Sequence, residues 1–222
     1  MANETKVDGR FFFTLPIRIL HNNLFVAKAF KNKQGKEVGN SKFNADLAIL
    51  PDHAQWSDAK KTAGMVARGE WPGRSLAAEG GIRFPWKSGD EAADKAKAVG
   101  KNQEFKRGYL IMPARTGGDY PPKLSAIVNG KVVDFDGTNL NAAQPHFWAG
   151  MDALAEVSFA PYTTDDGKDG VTCRLNHIVA LGTGEKLQTG RSTSEKFSAY
   201  LGRMTTESPL GNSPDDDDEI PA

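Results

Sequence analysis

Two stretches in the last third of the chain repeat with a period of two, which constrains the fold more than any other feature. Met151, Ala153, Ala155, Val157 and Phe159 alternate with Asp152, Leu154, Glu156 and Ser158 within the run Phe147 to Tyr162. After the turn-forming residues Asp165-Asp166-Gly167-Lys168-Asp169-Gly170, the residues Val171, Cys173, Leu175, His177, Val179 and Leu181 fall on one side of a second run. Side chains of a strand alternate between faces, so this pattern predicts a long antiparallel hairpin with one face buried.

The rest of the chain supplies more strand than helix. Phe11 to Leu20 is aromatic and β-branched, His21-Asn22-Asn23 is turn chemistry, and Leu24 to Phe30 resumes the strand pattern. Lys31 to Asn40 reads as an exposed basic loop, and Phe43 to Leu50 as a third strand stopped by Pro51. A helix is expected from about Ala54 to Arg68, because Trp56, Ala59, Ala63 and Val66 share a face. Asp52 would cap it and Gly69 would stop it. Residues 70 to 89 read as an irregular loop, and 90 to 99 as a short exposed helix with acids first and lysines last. Gly108 to Pro113 returns to strand, and Leu124 to Val133 to a hairpin turning at Asn129-Gly130. Beyond Gly182 the periodicity is lost, and after Glu207 the composition is that of a segment unable to bury enough surface to fold.

The formal net charge of zero conceals an asymmetry. Five acids stand together at Asp215, Asp216, Asp217, Asp218 and Glu219; subtracting them leaves 23 acidic residues against 28 basic ones. A basic body with an acidic tail points towards nucleic acid. Cys173 is the single cysteine, which excludes an intrachain disulfide and a Cys-rich zinc site and fits a reducing compartment. No apolar run approaches membrane-spanning length, and Met1 to Lys6 lacks the apolar core of a signal peptide.

A search for catalytic patterns leaves little. Gly182-Thr183-Gly184 lacks the third glycine of a dinucleotide fingerprint, and the four histidines (His21, His53, His146, His177) are far apart in sequence, without zinc spacing. Asp165 to Asn176 imitates a calcium loop, but Gly167 replaces one ligand and Asn176 stands where a bidentate Glu is needed, so a tight turn explains it better. Asp90 with Glu104-Phe105-Lys106 resembles the acids and lysine of a metal-dependent nuclease, in a loose form that arises readily by chance. No enzyme, cofactor or metal is expected.

Binding leaves a broader trace. Sequence-tolerant recognition of a single strand needs aromatic platforms for bases and cations for phosphates. Here they interleave: Trp71 with Arg74; Arg83 with Trp86 and Lys87; Lys106 and Arg107 with Tyr109; and Arg115 with Tyr120 and Lys123. The acidic run, followed by Ile220 and Pro221, could engage a partner's basic apolar pocket or the chain's own cationic groove.

Two resemblances follow from these residues. The ending is similar to that of bacterial single-stranded-DNA-binding proteins, which finish in acids and Ile-Pro-Phe, whereas this chain has Ala222 in place of the Phe. The body resembles the single-stranded-DNA-binding proteins of tailed bacteriophages, formerly a family of unknown function. The matching segments include Ile19 to Phe30, Phe84 to Asp90, Gly108 to Ala114, Phe147 to Gly150, Val157 to Tyr162 and Gly170 to Ile178, in family order. The resemblance implies a mainly β oligonucleotide-binding (OB) fold, a five-stranded Greek-key barrel with an inserted helix and loops. It also implies single-stranded DNA as partner and a role in phage DNA replication or recombination, in the cytoplasm of the infected bacterial host. The expected organisation is a binding domain over residues 1–206 and a disordered acidic tail over 207–222 that modulates binding and recruits replication proteins. Whether the chain forms a homodimer is open, and a virion assembly protein or, less favoured, a nuclease stand as alternatives.

Overall fold

The fold of this computed structural model is set by one strand that is long enough to take a different partner along each of its halves. The structure describes residues 8–31, 34–76 and 81–187. Strand β1 (Arg10–Lys31) pairs through its first half with β7 (Met151–Thr163) and through its second half with β2 (Glu37–Ile49). Between these lie α1 (Trp56–Glu70), the two-residue strand β3 (Lys87–Ser88), α2 (Gly89–Lys97), β4 (Leu110–Gly117), β5 (Lys123–Val128), β6 (Lys131–Phe135) and α3 (Leu140–Ala143). Strand β8 (Asp169–Gly184) follows β7.

The neighbours run β4-β2-β1-β7-β8, and a parallel contact of Ala114 in β4 with Cys173 in β8 closes the ring. Five strands therefore form a closed barrel, the OB architecture expected from the sequence. Alternation fills it: Phe13, Leu47, Met112, Ala153, Val157 and Leu175 all point inward and are buried. Helix α1 lays Trp56, Ala59, Ala63 and Val66 into the same core. The β5–β6 hairpin extends the sheet from β8 and turns at Asn129-Gly130, both with positive φ (51° and 74°) as a two-residue turn requires.

Several local expectations give way to the structure. His21-Asn22-Asn23 is strand, not turn, because Asn23 Nδ2 donates across to Asn44 Oδ1 at 3.2 Å and a register shift between Ile19 and His21 absorbs the extra residue Leu20. The basic loop is shorter than expected, since β2 begins at Glu37. Asp52 does not cap α1: Gln55 occupies the cap position, and its side chain is spent on β1. The helix passes Gly69 and ends at Glu70. Phe147 to Gly150 precedes β7 without joining it. In β8 the pairing slips between Glu156/His177 and Val157/Leu175, leaving Asn176 as a bulge. His177 and Val179 are thereby turned outward, and Ile178 and Ala180 are the buried residues. A compact unit ends at Leu187, and residues 188–222, with the acidic run and the Ile220-Pro221 tip, lie outside the described residues.

Candidate nucleic-acid interface

The outer face of β1, β2 and β4 follows from simple alternation. Phe43, Ala45 and Leu47 point into the barrel, so Lys42, Asn44 and Asp46 point out. On β4, Met112 and Ala114 are buried and Pro113 and Arg115 face outward. Register then assembles the surface row by row. Asp46 lies between His21 and Pro113, Asn44 between Asn23 and Arg115, and Lys42 between Lys28 and Gly117.

Charge is unbalanced across this face. Lys28 stands directly opposite Lys42, a like-charge pair that costs stability unless an anion lies between. Among the described residues, no carboxylate forms an ion pair with Lys28, Lys42, Lys87, Lys106 or Arg115. Lys106 is half-buried, and its pKa is held below the ordinary lysine value chiefly by loss of solvent and by Lys87, with Asp46 acting in the opposite direction.

Tyr120 stands at the rim of the face and is 74% exposed. Its backbone is fixed, because its N–H donates to Gly117 O and its carbonyl accepts from the Thr116 hydroxyl, both at 3.0 Å. The ring rests beside Gly117: a Cβ there would lie 3.6 Å from Tyr120 Cδ2. At the other end of the face, Leu20, Ala48 and Ile111 form a small second core sealed by Phe105 and Tyr109.

The residues singled out from sequence therefore separate into groups. Lys87, Lys106, Arg115 and Tyr120 border or occupy this face. Tyr109 packs into the second core beside it. Arg107 is held by Asp94 (2.6 Å) and Glu104 (2.5 Å), so its charge is already met. Trp71, Arg74 and Arg83 gather instead where α1 ends and β8 begins, and Trp86 lies against the first residue of α1. Arg74 pairs with the buried Asp169, and Arg83 exchanges backbone hydrogen bonds with Asp169 and Val171. Trp86 is stacked on Phe84 (4.7 Å) and meets Trp56 edge-on (5.1 Å). Lys123 lies on β5, opposite His177. The sequence reading passed over Lys28, Lys42, Asn23 and Asn44. The β2 alternation from Lys42 to Leu47 was the signal that could have placed Lys42 and Asn44. Asp90 accepts the Gly108 N–H and Glu104 is bound to Arg107, so the nuclease-like acids serve the local fold.

The model of the family described as Enterobacter phage Enc34, ssDNA-binding protein, matches residues 12–208. This chain belongs to that family. The Enc34 family's own structures share the barrel. The single-stranded-DNA-binding protein from bacteriophage Enc34 superposes with a TM-score of 0.59 at 14% identity, over 88% of this chain and 97% of that one. The same phage protein in complex with ssDNA gives 0.59 at 14% identity, over 84% and 97%. At this identity the likeness speaks for the fold, which is that of the Enc34 family. A comparison with curated proteins gave no match. The family is one of binding proteins and not of enzymes.

Proposed function

We propose that the chain binds single-stranded DNA across the outer face of β1, β2 and β4, without strong sequence preference. The observation that carries this reading is a set of cations with no ion pair among the described residues: Lys28, Lys42 and Arg115 on the strands that OB folds use for oligonucleotides, with Lys87 on β3 and Lys106 in the turn before β4 at their edge. Phosphates meet the cations, and bases lie against Tyr120 and the side-chain amides of Asn23 and Asn44. The neutral, hydrogen-bonded amides offer no fixed code, which suits a sequence-tolerant binder.

The remaining assignments belong to the same proposal. Residues 1–206 form the binding domain, and the tail with Asp215, Asp216, Asp217, Asp218, Glu219, Ile220 and Pro221 competes with DNA for cations and recruits replication proteins. The setting is phage DNA replication or recombination inside the infected bacterial cell, in line with the family; among the described residues no helix is long and apolar enough to cross a membrane. Trp71 supplies further aromatic surface at the end of α1, whereas the Trp86 ring is taken up by packing on Phe84 and Trp56.

The test is a fluorescence-anisotropy titration of the full chain with labelled single-stranded and duplex DNA at several salt concentrations. Preference for the single strand, with affinity falling as salt rises, supports the reading. Equal or absent binding to both overturns it.

A further inference from the structure

Beside the barrel face, α2 and the segment that follows it enclose a groove of about 400 Å³. Its rim carries Lys87, Lys95, Lys101 and Lys106, and its floor is Ala92, Ala96 and the 68%-exposed Val99. Glu91 is the one carboxylate lining it, and that group faces Lys95 at 3.7 Å. The walls are held by backbone. Gly89, at the start of α2, donates to Tyr109 O at 2.8 Å and lies so close to the chain below that a Cβ would fall 2.0 Å from Lys106 O. Asp90 ties the same turn through the Gly108 N–H at 3.1 Å. These contacts tie the start of α2 to the segment from Lys106 to Tyr109 on one side of the groove.

Two of its four lysines belong to the barrel face as well. Lys87 pairs with Ile111 on β4, and Lys106 senses the charge of Asp46 on β2. The cationic row of the face therefore does not stop at β4 but turns over Lys106 and Lys87 into the groove. We propose that this groove is a second track for the same strand. Single-stranded DNA leaving the face follows Lys106 and Lys87 to Lys101 and Lys95, with sugars and base edges on Ala92, Ala96 and Val99. The proposal rests on the single-strand reading above. It extends the site with contacts that carry no sequence information and that only a strand longer than the barrel face can reach. An acidic peptide would satisfy the same lysines, but it would not account for the continuity with the face.

The experiment uses the full chain, its Lys95→Ala/Lys101→Ala variant, and labelled oligothymidylates of about 8 and about 20 nucleotides, lengths chosen to bracket the footprint of one OB fold. The variant should bind the short strand as the unaltered chain does. It should lose roughly ten-fold on the long one, with the salt slope for the long strand falling by about 1.4, the value for two phosphate contacts. Both substitutions are on exposed side chains, and an unchanged melting temperature checks that the variant is folded. Equal losses on the two lengths, or none on either, overturn the second track. A labelled peptide spanning residues 214–222 is titrated in parallel. If the variant loses the peptide and keeps the long strand, the groove is a peptide site and the proposal fails. If the unaltered chain binds neither oligonucleotide, the single-strand reading itself falls, and this proposal with it.

Discussion

The carboxamide of Gln55 grips Thr14 from two sides: its Oε1 accepts the Thr14 N–H at 2.9 Å while its Nε2 donates to the Thr14 hydroxyl at 3.1 Å. The same side chain accepts the Leu15 N–H at 2.9 Å and donates to Phe12 O at 3.1 Å. Thr14 and Leu15 lie at the register shift of β1 between Phe13 and Ile17, where β7 offers no regular partner. One amide, placed just before α1, thus supplies the missing ladder and ties the helix to the barrel. Gln55→Ala should cost about 1–2 kcal/mol, the net worth of the lost bonds where water can replace part of them. Gln55→Glu keeps an acceptor for the Thr14 and Leu15 N–H groups but loses the donor to Phe12 O, and should recover part of the loss. Urea unfolding at fixed pH measures both, and an Ala variant as stable as the unaltered chain would refute the clamp.

Tyr120 and Trp86 should respond to truncation in opposite ways. Tyr120 is exposed at the rim of the face and its ring seals no core. Tyr120→Ala should therefore leave the melting temperature in place and weaken single-strand binding by about 1–3 kcal/mol, the worth of one stacked base. Trp86 is wedged between Phe84 and Trp56, and Trp86→Ala should cost stability towards the lower end of the roughly 3–5 kcal/mol typical of core aromatics. Thermal melts and DNA titrations on both variants separate the two effects. A Trp86 variant that binds poorly but melts normally would move the stacking platform to the α1 end of the barrel.

Lys42 and Arg115 flank Asn44 and Gly117 on adjoining strands and have no carboxylate partner among the described residues. If each neutralises one phosphate, the Lys42→Ala/Arg115→Ala variant should lower the slope of log affinity against log salt by about 1.4 on single strands. Lys61→Ala, which removes a cation on α1 and outside this face, is the control and should leave the slope unchanged. A double variant with the original slope would place the phosphates elsewhere.

How much of this could be read beforehand depends on where the decisive partner sits. The β7–β8 hairpin was legible because alternation is local, yet the face of His177 was not. One extra residue at Asn176 flips everything after it, and Val179 and Leu181 look as core-worthy as Ile178 and Ala180. His21-Asn22-Asn23 has turn chemistry by composition; only Asn44, brought across from β2, shows that the amides serve a ladder. The cations follow the same logic. Arg107 and Lys106 are neighbours in sequence, but Asp94 and Glu104 quench one while the other is left to Asp46 and Lys87, a distinction made by tertiary placement alone. Lys28 and Lys42 were hidden for a different reason. They flank a segment whose lysines and glycines read as loop, whereas the hairpin continues through much of it as strand.

The outward turn of His177 also gives stability a pH dependence whose sign can be worked out. The Ser125 hydroxyl donates to Asp134 Oδ1 at 2.6 Å, so its oxygen is left to accept from His177 Nε2–H at 2.7 Å, an arrangement the neutral ring satisfies. Burial, first, and Lys123, to a smaller degree, hold the pKa of His177 below its ordinary value, while Asp134 and Glu156 pull the other way. The unfolded chain takes up this proton near about pH 6.5, before the folded one does. In the interval between the two values the unfolded state binds more protons, so stability falls as pH drops through it and is fully present above it. Asp136 and Asp166, whose carboxyl pKa values are lowered by hydrogen bonds and by Lys168 respectively, act only further down, around and below about pH 4. Melting temperatures between about pH 8 and pH 5.5 should therefore decline in the unaltered chain and decline less in His177→Gln, which keeps a donor for Ser125 but cannot titrate. Parallel declines in the two proteins would show that His177 is not the group that ties the β5–β6 hairpin to β8 in a pH-dependent way.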